Sequence, residues 1–155
     1  MLQLPNLSEL HLVGVADRGV PNKERIIFRP REVVELQRYF VGLGFVTDAT
    51  KGLFLPHKDR IFYFPEAYPT ESDWVVLYTG KGQETTSELP TTGETAHTFF
   101  WGAENVLFTQ SQVIPTLFRI GALQIPEQGP LNLPGYKPAG TFPRQLPGPV
   151  AEGHP

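Results

Sequence analysis

A chain of 155 residues with 40% hydrophobic content and eleven Phe has the makeup of one folded domain, long enough to bury roughly two-thirds of its unfolded surface. Its 13 Lys and Arg against 16 Asp and Glu leave a net charge of −3, which gives no global attraction to nucleic acid or an anionic membrane. The complete lack of Cys excludes disulfides, zinc–thiolate centres and cysteine nucleophiles together.

The first ten residues, MLQLPNLSEL, hold neither a basic cluster nor a long apolar run, so no signal peptide is expected. No window reaches the roughly 18 apolar residues of a membrane span, and a cytoplasmic protein without membrane insertion is expected. Short apolar runs then follow one another, separated by Gly, Pro, Asn, Asp and Thr clusters. They predict strands at Leu10–Val15, Arg25–Arg29, Tyr39–Phe45, Arg60–Phe64, Trp74–Thr79, Thr98–Trp101, Val106–Thr109 and Thr116–Gln124. In Tyr39–Phe45 every odd position is large and apolar, a period of two. Arg25–Arg29 reads the same way, with Ile26 and Phe28 inward and both arginines outward. Eight short strands bounded by turn signals predict an all-β sandwich or barrel rather than βαβ units.

Residues 31–43 fit two templates. Val33, Leu36, Phe40 and Leu43 recur at helical spacing, with Pro30 and Glu32 where a helix begins. The alternation that continues to Phe45 favours strand, but if the protein has a helix, it is here.

Composition changes after Ile125. Residues 126–155 hold eight of the sixteen Pro and five of the fifteen Gly. Pro removes donors and locks φ, so this density predicts an extended, polyproline-like arm with no core of its own. The expected organisation is a β-sandwich over 1–125 and the arm over 126–155. Leu131, Leu133, Tyr136, Phe142 and Leu146 are its candidate anchors to the body or to a neighbouring subunit.

Candidate chemistry is sparse. Thr79-Gly80-Lys81-Gly82 suggests a phosphate loop, but the G-x-x-x-x-G-K-[ST] pattern fails at both flanks. Val75 stands where the first Gly belongs, Gly82 where Ser or Thr belongs, and no helix pattern follows. A strand running out into a glycine loop explains the stretch better. His11, His57, His97 and His154 show no metal-ligand spacing, and Ser8, Ser72, Ser87 and Ser111 show no nucleophile elbow. No catalytic residue, metal centre or cofactor is expected, although distant residues could converge into a site that spacing does not reveal.

Two surfaces remain. Lys23, Arg25, Arg29, Arg31 and Arg38 hold five of the thirteen positive charges, and the Arg25/Arg29 face could meet phosphates. Glu24, Glu32 and Glu35 dilute it, so nucleic-acid binding is the weaker alternative. The triplets Phe62-Tyr63-Phe64 and Phe99-Phe100-Trp101 cannot face one way, because neighbours on a strand point to opposite sides. Tyr63 and Phe100 are the outward candidates for a protein-contact surface.

The order of short motifs adds a resemblance. Asn22-Lys23-Glu24-Arg25-Ile26-Ile27-Phe28 precedes Val34-Glu35-Leu36-Gln37-Arg38-Tyr39, then Asp59-Arg60-Ile61-Phe62-Tyr63-Phe64-Pro65. Asp73-Trp74-Val75-Val76-Leu77-Tyr78-Thr79-Gly80-Lys81-Gly82 and Thr98-Phe99-Phe100-Trp101-Gly102-Ala103 follow. Together, over about residues 9–124, these resemble the lamin tail domain family, an immunoglobulin-like β-sandwich. The chain departs from that family at Arg38-Tyr39, where Gly-Trp is common. It departs again at Ala103, in place of a basic residue, and at Thr109-Gln110-Ser111-Gln112, in place of an Asn-Asp-Gly-Asp turn. The resemblance implies a non-enzymatic domain that binds protein, sometimes DNA. The expected function is a protein-interaction or structural module within a larger assembly, its arm docking on a neighbour.

Overall fold

Alternation of large apolar and other side chains builds two sheets in the computed structural model, which describes residues 6–45 and 55–126, the side chains of 55–59 excepted. The strands are β1 (Leu10–Ala16), β2 (Arg25–Pro30), β3 (Tyr39–Phe45), β4 (Leu55–Tyr63), β5 (Asp73–Tyr78), β6 (Thr85–Glu88), β7 (Thr95–Phe100) and β8 (Val113–Arg119). A five-stranded sheet has the order β1-β2-β5-β7-β6, and a three-stranded sheet the order β4-β3-β8. All pairs are antiparallel except β5 with β7. The fold is all-β, and no helix among the described residues is long and apolar enough to cross a membrane. The chain divides into units Met1–Leu123 and Gln124–Pro155, and the eight strands described lie in the first.

Inward residues of both sheets share one core. Ile26 and Phe28 of β2, Val41 and Leu43 of β3, Val75 and Leu77 of β5 and Phe99 of β7 are buried together with Leu36 and Phe108. Phe64, just past β4, holds the layers together. Its ring meets Phe28 at 5.6 Å, Phe99 at 5.4 Å and Phe62 at 5.3 Å, each edge to face. Each such pair is worth about 0.5–1.5 kcal/mol beyond the area its rings bury.

Several expectations about elements need correction, beginning with two strand starts: β4 begins at Leu55 rather than Arg60, and β7 at Thr95 rather than Thr98. Val106–Thr109 is loop, because the Leu107 and Phe108 amides donate to the Glu24 carboxylate at 2.6 and 3.1 Å instead of to a strand. The last strand runs over Val113–Arg119 rather than Thr116–Gln124. Pro115 is tolerated inside it because β8 lies at a sheet edge, where a missing donor breaks no ladder. Thr85–Glu88, a polar stretch without apolar alternation, forms the edge strand β6, all of it exposed. The ambiguous segment 31–43 divides: a single 3-10 turn at Leu36–Arg38, then β3. The helical spacing was real only for that turn, where Val34 and Leu36 are fixed by Val34 N to Pro69 O and Leu36 N to Ala67 O bonds.

Candidate functional site: an aromatic outer face and a clipped seam

In β3 the odd residues Tyr39, Val41 and Leu43 are buried inward, which leaves Phe40, Gly42 and Gly44 on the outer side. Register sets Tyr63 of β4 and Phe118 of β8 on either side of Phe40. Phe40 stacks on Phe118 at 4.8 Å and 8°, and leans on Tyr63 at 5.3 Å and 37°. Gly42 makes room for this row, since a Cβ there would stand 3.0 Å from the Phe118 ring. Tyr63 keeps 62% of its surface exposed, and Ile61 beside it is also exposed. Three aromatics and an isoleucine therefore form an apolar outer surface on the three-stranded sheet.

Phe100 lies elsewhere. It faces outward from the five-stranded sheet, stacked on Tyr78 at 5.3 Å and 15°. Gly82 packs flat beneath its ring, so close that a Cβ would come within 2.2 Å of Phe100. The same sheet presents Arg25 and Arg29 together on its outer side, as alternation predicts. Both are already engaged. Arg25 pairs with Asp17 and lies over the Tyr78 ring at 5.8 Å. Arg29 lies 4.3 Å over Trp74 and bonds Glu94 at 2.9 Å, while Trp74 donates to the other Glu94 oxygen at 2.8 Å. The indole and guanidinium donors hold the Glu94 carboxyl below its usual range. Lys23 and Arg31 are exposed off this strand, and Arg38 pairs with Glu35 at 2.6 Å in the 3-10 turn. The five cations do not form one patch.

Thr79-Gly80-Lys81-Gly82 serves structure. Glu24 is 1% exposed, held by the turn at Asn22 (φ 62°), and accepts bonds from Gly19 N at 2.7 Å and Thr79 Oγ1 at 2.9 Å. With the two amides of Leu107 and Phe108 it takes four donors, a full complement for a buried carboxylate. Lys81 pairs with Glu104 at the surface. His97 lies 3.3 Å from Asp73, whose carboxylate also accepts the Thr70 amide at 2.8 Å. His11 is exposed; the His57 side chain and His154 lie outside the described residues. Among the described residues no three His, Asp or Glu side chains come together as a metal site would require.

A second feature lies where the sheets meet. Among the described residues β1 and β8 are the edge strands of their sheets, and side chains clip them together at both ends. Arg18 donates to Val113 O from Nη1 at 3.3 Å and Nη2 at 3.4 Å. At the far end Tyr39 Oη donates to Glu9 at 2.7 Å, and Arg119 donates to the same carboxylate oxygen. These donors pull the Glu9 carboxyl down to about 2, while burial and the Glu9 charge push the Tyr39 phenol well above its usual value. A phenol so held stays protonated and serves as a donor, not as a base. Between the clips lies a groove of about 430 Å³ lined by Leu7, Leu10, Leu12, Pro115, Leu117 and Phe118 among others.

Sequence reasoning found Tyr63 but missed Phe40 and Phe118. The signal for Phe40 was parity, since it alternates with the buried Tyr39 and Val41; β8 has no buried residue to show such a pattern for Phe118. Leu131, Leu133, Tyr136, Phe142 and Leu146 lie outside the described residues. Comparison with protein-family models, with curated proteins and with solved structures returns no match.

Proposed function

We propose that this chain is a non-enzymatic protein-interaction module, an immunoglobulin-like β-sandwich of the lamin tail kind, whose Pro-rich arm docks on a neighbouring copy. The observation that carries the reading is the exposed pair Tyr63 and Ile61, with Tyr63 leaning on the half-buried Phe40, on the outer side of a sheet whose other side is filled by the core. Exposed apolar surfaces of this kind mark partner contacts. Aromatic rows are the surface on which extended Pro-rich segments dock, since a polyproline chain is ordered before it binds and loses little entropy. The motif order supports the family reading, with Glu24, Thr79 and Gly82 each holding a tertiary contact at its motif position.

Light scattering on the full chain tests this. The expected result is a dimer or larger at micromolar concentration. A monomer is expected once Leu131, Leu133, Tyr136, Phe142 and Leu146 are all replaced by Ser. An unchanged mass in the substituted chain counts against an arm that joins subunits.

A further inference from the structure

We infer that residues 104–112, the connection from β7 to β8, are a strap that opens as a unit while both sheets stay folded, and that the β1–β2 turn is the latch that holds it shut.

The strap has little backbone support of its own. Ala103 N, bonded to Thr79 O at 2.9 Å, anchors one end, and β8 begins at Val113. Between them, among the described residues, the only backbone amides with a hydrogen bond are those of Leu107 and Phe108, and both go to the Glu24 carboxylate. Side chains add one anchor: Phe108 is 1% exposed, Val106 and Leu107 are half-buried, and the other six residues are exposed. Val106 also lines two separate hollows of about 240 and 230 Å³, so part of the strap lacks the close packing of a core.

The latch is the turn from Asp17 to Glu24, and it grips both kinds of backbone group. Glu24 takes the two amides at 2.6 and 3.1 Å, while Arg18 reaches the Val113 carbonyl at 3.3 and 3.4 Å and the Gln110 carbonyl at 3.4 Å. Arg18 also lies over the Phe108 ring at 5.3 Å. The first grip is firm; the second is at the long, weak end of hydrogen bonding. When the strap leaves, Glu24 keeps Gly19 N and Thr79 Oγ1 as donors and water supplies the rest, so release strands no bare carboxylate. The turn is constrained as well. Asp17 (φ 50°) and Asn22 (φ 62°) are both left-handed, a conformation that persists where surrounding contacts enforce it and that clusters at clamps and switches. Opening presents Val106, Leu107 and Phe108 to solvent, an apolar run that the closed protein covers, so the latch controls when that run is available for contact.

Native-state hydrogen exchange on the full chain, followed amide by amide across sub-denaturing urea, tests this. Leu107 and Phe108 are expected to share one protection factor, about tenfold or more below the paired amides of β3. Their urea dependence should be shallower, because a local opening exposes little surface. Protection and urea slope equal to those of β3 overturn the strap, since the loop then opens only by global unfolding; unrelated protection factors for the two amides overturn opening as a unit. Arg18→Gln leaves the Glu24 contacts in place and is expected to lower the protection of both amides about two- to fivefold, with β3 unmoved. A loss shared equally with β3, or no loss, overturns the latch.

Discussion

The outer sides of the two sheets are built from similar residue types and arrive at opposite states. On the five-stranded sheet each aromatic has a companion: Trp74 lies under Arg29 and bonds Glu94, and Tyr78 is sandwiched between Arg25 and Phe100. On the three-stranded sheet Phe40, Tyr63 and Phe118 meet one another, and Tyr63 keeps most of its surface toward solvent. Charge drew attention to the first side, yet its cations are consumed by internal pairing. On the three-stranded side Tyr63 and Ile61 stay exposed. A cluster of Arg on a strand therefore says little about nucleic acid until its carboxylate partners are known.

That contrast can be broken or sharpened by substitution, beginning with the interior on which both sides rest. Glu24→Ala strips the acceptor from Gly19, Thr79, Leu107 and Phe108, and leaves buried amides unpaired. A loss of about 4 kcal/mol is expected in urea unfolding. On the five-stranded side, Gly82→Val forces a side chain into the Phe100 ring and should cost about 2–3 kcal/mol without changing oligomeric mass. On the three-stranded side, Tyr63→Ser should do the reverse: association weakened about tenfold, stability altered by less than about 1 kcal/mol. If Tyr63→Ser unfolds the protein and leaves its mass unchanged, the contrast between the two sides is wrong.

The clip at the seam gives a pH prediction. The Glu9 carboxyl falls from its usual 4.5 to about 2 in the folded chain, so the stabilisation is complete above about pH 4.5. It disappears as pH falls toward 2, when the native carboxylate takes up its proton. Arg119 lies at the surface and solvent screens part of the attraction, so about 1 kcal/mol is expected. Thermal unfolding from pH 6 to pH 2 should show a shallower decline in Tyr39→Phe than in the parent chain. The smallest effect concerns nucleic acid: labelled oligonucleotide binding should lack the steep salt dependence of phosphate contacts, and Arg25→Gln should leave it unchanged. A steep slope lost on that substitution would restore the nucleic-acid reading.

Period-two alternation located β2, β3 and β5 within a residue or so, because one buried face is enough to select a strand. It also set Arg25, Arg29 and Tyr63 outward. It missed β6, where Thr85–Glu88 bury nothing and owe their extended form to the β7 edge beside them. It misread Val106–Thr109, where apolar residues serve a loop whose amides are satisfied by a carboxylate more than eighty positions away. Local pattern reports which side a residue faces. It does not report what is waiting there.

The sequence by itself determined an all-β chain with a Phe-rich interior and a compositional break near residue 125, because alternation and Pro density act through the nearest neighbours in the chain. Only the tertiary structure decided that Glu24 is a buried acceptor, that Arg29 is spent on Trp74 and Glu94, and that Glu9, Tyr39 and Arg119 clip two strand edges together. Those outcomes depend on partners brought close by folding, at separations of up to 110 residues, where the pattern of either partner alone carries no trace of the other.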